Sequence, residues 1–512
     1  MNEPHHTDAA SGLRRDIHTT LLPGFAGTAA PEWLLARLRD GLGGICVFGP
    51  NIVDAEQLLA LNSSLRGANP LAVVAIDEEG GDVTRLFYDR GAPYPGNAVL
   101  GRLDETELTE RVAREVGRAL AATGCTVTFA PDVDVNSNPD NPVIGVRSFG
   151  TDPELVARHT SAWVRGVQST GIAASAKHFP GHGDTATDSH LALPVVDEPI
   201  EVLRDRELVP FRAAIAAGTR TIMTSHLLLP QLDAENPATL SPRILQGLLR
   251  EELGFEGVIV SDALDMKGAS GVHGIPEAAV RALAAGCDLL CIGSENTDAQ
   301  MDEIIGAVEA AIAVGRIPAE RIREAAGRVR ALSADVPELP SAVGGIEPAH
   351  HEDEVAVLAA SFEVSDAART RLALAERIGT VVRIDTVANI AVGVAPWGPF
   401  AASSVDDAPA WFGDADLVAV SREHLLDEAR ELTGPVLVVG KDLHRHPFAV
   451  DAIDRLRAGR DDVVTVDMGW PSNDRAYADI ATFGASRLLG RALLSFVGSS
   501  LGRLARAPVD AA

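Results

Sequence analysis

The chain has 512 residues, with 44 Lys and Arg against 72 Asp and Glu and a formal net charge of −28. That length suffices for two or three domains with cores of their own, and a balance of 46% hydrophobic to 23% charged residues excludes wholesale disorder. So acidic a chain repels a phosphate backbone, so nucleic acid is not expected as a partner.

The first residues, MNEPHHTDAASGLRRDI, lack the apolar core of a secretory signal. No run reaches the roughly 18 uninterrupted apolar residues of a membrane span, so no membrane partner is expected and the expected location is the cytoplasm. Four cysteines are too few and too scattered for a disulfide framework. Cys46, Cys287 and Cys291 sit in apolar runs and read as small buried hydrophobes, without the companions of a zinc set. No metal or cofactor is expected.

Taken in order, short apolar runs alternate with longer amphipathic ones up to about residue 335. The predicted strands are residues 17–22, 43–48, 71–77, 125–131, 172–178, 220–226, 257–262 and 287–293. Helical patterns lie between them, such as residues 31–40, 104–124 and 152–171, the last two opening on acidic residues and stopping at Gly. Continuous apolar strands separated by helices imply parallel pairing with both faces buried. Eight such units predict an N-terminal (β/α)8 TIM-type barrel. The alternative is an open doubly wound sheet, but the first turn, LLPGFAGTAA, lacks the G-x-G-x-x-G of a dinucleotide fold. Residues 336–354 turn rich in Pro, Gly and acidic side chains and read as a linker between a catalytic barrel (1–335) and a second domain (355–512). In that domain TVVRID, NIAVGVAP, DLVAVS, PVLVVG and DVVTVDMG predict the strands of an α/β/α sandwich that ends in a long apolar helix.

Barrel enzymes carry their chemistry at the C-terminal ends of the strands. Those ends hold Asp77, Asp132 and Asp134, Lys177 and His178, His226 and Asp262. One such Asp alone is usually an N-cap for the next helix; a polar residue at strand after strand on one rim implies a shared cleft. The densest stretch, AKHFPGHGDTATDSHLALP (176–194), holds three of the chain's 14 His. Within it Asp188 stands two residues from His190, close enough to orient the imidazole and raise its basicity.

KHFPGHGDTATDSH, GVIVSDALDM, IDEEGGDVTRL and NPVIGVRSFG, in the same order along the chain, resemble the family-three glycoside hydrolases, and within them the β-N-acetylglucosaminidase branch. The resemblance implies retaining cleavage of terminal β-linked N-acetylglucosamine. It implies Asp262 as nucleophile, His190 as general acid/base with Asp188 as its partner, and Asp77, Arg85, Arg147, Lys177 and His178 as ligands of the sugar. Asp82, Val146 and Ala263 depart from the family's usual Arg, Asp and Asp, which bears on fine specificity rather than on the reaction.

A carboxylate on one face of the anomeric carbon and a proton donor on the other are what retaining hydrolysis needs. The donor here is an imidazole, which does not repel an anionic acceptor. Inorganic phosphate is therefore an alternative acceptor to water, making the chain a phosphorylase with the same residues. A metal-dependent hydrolase using His178, His182, Asp184, Asp188 and His190 is a second alternative, without a recognised zinc spacing. A sugar-binding protein without turnover is a third. The expected partner is a small GlcNAc-containing glycoside; monomer and homodimer both stay open.

Overall fold

The computed structural model describes residues 4–185, 193–271, 273–348, 352–387, 389–402, 415–427 and 430–502. The chain forms two compact units. One comprises Met1–Glu79, Asp104–Ile144 and Ser148–Glu347; the other comprises Gly80–Leu103, Gly145–Arg147 and Pro348–Ala512.

The first unit is built on eight parallel strands: β1 (Leu21–Leu22), β2 (Gly44–Val47), β3 (Val73–Ile76), β4 (Val127–Thr128), β5 (Ala173–Phe179), β6 (Thr221–Thr224), β7 (Val258–Ser261) and β8 (Leu289–Cys291). They are ordered β1-β8-β7-β6-β5-β4-β3-β2. Between β1 and β2 the Gly43 N–H donates to the His18 carbonyl and the Cys46 N–H to the Pro23 carbonyl, both at 3.0 Å, so the sheet curls almost into a closed barrel. Every strand residue is buried, which is why these stretches read as continuous apolar runs rather than alternating ones. Leu22, Cys46, Ala75, Val127, Ala173, Met223, Val260 and Cys291, one from each strand, fill the interior.

Val329 and Leu332, on the helix Ala319–Ala334, join the same core. Arg220, immediately before β6, donates to the Leu332 carbonyl at 2.7 Å. This helix therefore stoppers the N-terminal end of the barrel and leaves the opposite rim for chemistry. Nearby, the fully buried Asp288 carboxylate is met by Arg250 and Arg321, each at 2.5 Å, and by Arg328 at 3.4 Å. The barrel expected from the strand count is thus the fold observed, with one shift at its start. Ile17, His18 and Thr19, expected in the first strand, end the helix Pro4–Thr19 instead. There the Thr19 and Thr20 hydroxyls bond back to the Arg15 and Ile17 carbonyls and close the last turn.

The second unit holds a sheet ordered β11-β10-β12-β13-β14-β9, made of β9 (Glu363–Val364), β10 (Thr380–Asp385), β11 (Asp416–Ser421), β12 (Val436–Gly440), β13 (Val463–Asp467) and β14 (Ile480–Ala481). Only β9 runs antiparallel to its neighbour among the described residues. Alternate side chains serve two cores. Val381, Leu437, Val439, Val464 and Val466 meet the helices Glu352–Ala359, Asp366–Leu374 and Arg487–Ser500. Val382, Ile384, Val436, Val438 and Val463 meet the helix Pro447–Gly459. With helices on both faces, this is the expected α/β/α sandwich. NIAVGVAP is not a strand: Asn389 Oδ1 accepts from the Ala391 N–H and starts a series of turns that leaves Val394 exposed. No described helix is long and apolar enough to cross a membrane.

Candidate active site

Asp77 leaves the end of β3 and points at Lys177, near the end of β5, with 2.8 Å between Oδ1 and Nζ. Glu79 lies on the other side of the ammonium at 2.7 Å. The Lys177 and Glu79 side chains are both 3% exposed, Asp77 21%. An ammonium buried this deeply is tolerated because two carboxylates offset its charge, and the partly open Asp77 is the member a ligand can reach.

Beyond β4, Asp134 is fully buried and gathers three N–H donors: His178 Nδ1 at 2.7 Å, the His178 main chain at 3.2 Å and the His182 main chain at 2.6 Å. Burial alone raises a carboxyl pKa, but the His178 and His182 rings and these N–H groups outweigh it and hold Asp134 below the ordinary range. A carboxylate only accepts, so Nδ1 of His178 carries the proton. His182 packs edge-on against His178, ring centroids 5.8 Å apart. Burial, and next the adjoining His178, push its pKa down to about 4, so it is neutral at neutral pH.

Asp262 follows β7 directly. Its N–H donates to Thr224 Oγ1 at 3.3 Å, and its Oδ1 accepts from the Ala263 N–H at 2.8 Å. The network continues from Thr224 to Thr239 at 2.7 Å and on to His226 Nδ1 at 2.9 Å. His226 Nε2 donates to the Ala263 carbonyl at 3.0 Å. The main chain on both sides of Asp262 is thereby fixed by residues at the end of β6.

After β5 the chain turns through Gly181–Asp184. A Cβ on Gly183 would lie 1.6 Å from the Val135 carbonyl oxygen, so only glycine lets the turn press onto the segment after β4. Asn141 Nδ2 donates to the His182 and Gly183 carbonyls at 2.8 and 2.9 Å. Asp188 and His190 lie outside the described residues. Of the remaining expected site residues, Asp77, Lys177, His178 and Asp262 stand on the C-terminal rim of the barrel. Arg85 and Arg147 belong to the second unit. There Arg85 donates to the Ala391 carbonyl at 2.6 Å, and the carbonyl of the buried Arg147 accepts from Asn97 at 2.7 Å.

Glu79 and Asp134 are the site residues the sequence reading did not assign. In the sequence Glu79 is one of two Glu in IDEEGG, and Asp134 stands among the strand-end residues of the rim without a role of its own. Among the described residues, ligand atoms of Asp132, Asp134 and His178 lie within 4.8 Å of one another. Hydrogen bonding accounts for this cluster, since a protonated Nδ1 has no lone pair for a cation. Asp184, a ligand candidate of the metal-dependent alternative, instead pairs with Arg206 at 2.6 Å.

Comparison with known proteins agrees with this fold. The family model for the glycosyl hydrolase family 3 N-terminal domain matches residues 28–332. A Beta-hexosaminidase of Stenotrophomonas maltophilia is 38% identical over 53% of this chain and 82% of its own length. Beta-hexosaminidase A of Pseudoalteromonas piscicida is 34% identical over 61% of this chain, which spans only 56% of that protein. A solved glycoside hydrolase family 3 β-N-acetylglucosaminidase from Paenibacillus sp. FPU-7 superposes with a TM-score of 0.84 at 31% identity, covering 96% of this chain and 97% of its own. The chain belongs to glycosyl hydrolase family 3.

Proposed function

We propose that the chain is a retaining exo-β-N-acetylglucosaminidase. The observation that carries this reading is the placement of Asp262 on the same barrel rim as Lys177 and His178, with its main chain held from both sides. A rigidly held carboxylate suits attack on a fixed carbon. The names of the relatives, β-hexosaminidase and β-N-acetylglucosaminidase, support the choice of sugar.

In this reading Asp77, Lys177 and His178 hold the terminal sugar. Asp262 attacks C1 while His190, oriented by Asp188, protonates the departing oxygen; a glycosyl ester on Asp262 results. His190 then takes a proton from water, which attacks C1 and releases Asp262. No metal or cofactor enters. Phosphate in place of water would release the sugar 1-phosphate.

The test uses Asp262→Gly and His190→Ala with a dinitrophenyl N-acetylglucosaminide. Asp262→Gly is expected to lower kcat by about 10⁴ or more. His190→Ala is expected to accumulate the intermediate, seen as intact protein heavier by one N-acetylglucosaminyl group. Assaying sugar 1-phosphate with and without added phosphate identifies the acceptor. An Asp262→Gly enzyme with undiminished rate would refute the reading.

A further inference from the structure

We infer that Glu207 is a positioning residue for glycosyl transfer: with Arg206 it holds the Gly181–Asp184 turn, from which the chain runs on to Asp188 and His190. The inference rests on the role proposed for His190.

Glu207 stands between two helices, Ile200–Asp205 and Leu208–Ala216, and its side chain caps neither. The residue is 1% exposed and packs against the turn after β5 at Gly181. One carboxylate oxygen accepts from Arg206 Nε at 2.6 Å. The other, Oε2, is buried with no hydrogen-bond partner among the described residues. It lies 2.8 Å from where a Cβ of Gly181 would stand, and Glu207 Cβ lies 2.7 Å from that point. Gly181 has φ +133, a conformation L side chains rarely adopt, so its missing side chain makes the room that Glu207 occupies. Arg206 extends the link: its Nη2 donates to Asp184 Oδ2 at 2.6 Å. The turn is thus gripped at both ends, through packing at Gly181 and an ion pair at Asp184.

A buried, half-satisfied carboxylate is unfavourable compared with a methionine of similar length. It caps no helix and, among the described residues, pairs with one cation, Arg206, whose other side-chain partner is the turn. The charged groups around it are Arg206 on its own segment, Asp184 on the turn and Asp134 beyond β4. Burial, against the opposing pull of Arg206, pushes Glu207 up to about 7. The residue therefore weakens the fold locally while steadying the stem of the segment that carries the proposed proton donor.

The leaving group separates this role from simple packing. A dinitrophenyl aglycone departs without protonation, whereas a phenyl aglycone needs the acid, and kcat/KM reports the step in which it leaves. For Glu207→Met, and for Arg206→Ala, kcat/KM on the phenyl glycoside should fall about tenfold or more while that on the dinitrophenyl glycoside stays within about twofold. Glu207→Gln, which keeps an acceptor for Arg206, should recover part of the loss. The thermal midpoint of Glu207→Met should stay level or rise. Equal losses on both aglycones, or none, would overturn the inference. His190→Ala is the reference: if it shows the selective loss and the two anchor variants do not, only the anchor fails. If His190→Ala loses equally on both substrates, the acid/base assignment fails and the anchor with it. Arg206→Ala, made at a partly exposed side chain, carries the test should Glu207→Met not fold.

Discussion

His178 lends its Nδ1 proton to Asp134 across 2.7 Å, in a pair that is almost wholly buried. Since Asp134 also takes the His182 N–H, one carboxylate sets both the tautomer of His178, the proposed sugar ligand, and the start of the turn after β5. Asp134→Asn puts an amide donor where an acceptor is needed. It should lower kcat/KM by about thirtyfold, near 2 kcal/mol for a lost charged hydrogen bond, with KM carrying most of the change. Steady-state kinetics beside a thermal melt check this; an unaltered KM would count against His178 as a ligand.

Gly183→Ala should be costly for the opposite reason, lack of space rather than lack of a partner. Its Cβ would meet backbone, which cannot rotate away. Destabilisation of about 3 kcal/mol or more is expected, read by chemical denaturation. Gly306→Ala is the control: in the middle of the helix Asp298–Ala313 its Cβ would meet nothing within 4 Å, and the change should stabilise by about 0.5–1 kcal/mol.

His182 predicts a pH dependence. Above pH 6.5 it is neutral in both folded and unfolded chains. As pH falls from 6.5 to about 4 the unfolded chain binds a proton that the folded one refuses, so stability is lost across that window. The contribution amounts to about 3 kcal/mol. Glu207, raised from 4.5 to about 7, works in the other direction, losing stability as pH rises through that range. The His182 part is therefore isolated as the difference between wild type and His182→Gln in denaturation series at pH 7 and pH 4; a constant difference would contradict it.

Asp288→Ala removes the shared partner of Arg250, Arg321 and Arg328 at the stoppered end of the barrel. Burial pulls Arg250 down to about 10 even with Asp288 present. Leaving that guanidinium uncompensated should cost about 3–5 kcal/mol. Protein that remains folded should keep a wild-type KM, since Asp288 precedes β8 and lies at the end away from the rim.

The barrel strands are legible because burial on both faces writes them as largely apolar runs; β12 is legible for the same reason, and β10 and β13 from the apolar residues that open them. NIAVGVAP carries an equally apolar run and is no strand; composition cannot say that Asn389 turns the chain back on itself. Strands β9 and β14 are two residues each, too short for any period to show. At the site, Asp77, Lys177, His178 and Asp262 are conspicuous as polar ends to apolar runs. Glu79 and Glu207 are not, because a Glu among other charged residues, as in RDRELVPF, looks like any solvated face until the fold buries it.

The makeup of the second unit bears on how the protein is assembled as it is made. Ala98 and Val99 bury against Leu488, Leu489 and Leu493 in one core, although almost four hundred residues of synthesis separate them. On a ribosome, then, the stretch Gly80–Leu103 stays without these apolar partners until the helix Arg487–Ser500 has been translated. A prematurely stopped chain would expose that stretch to chaperones and proteases, however well the barrel strands had paired.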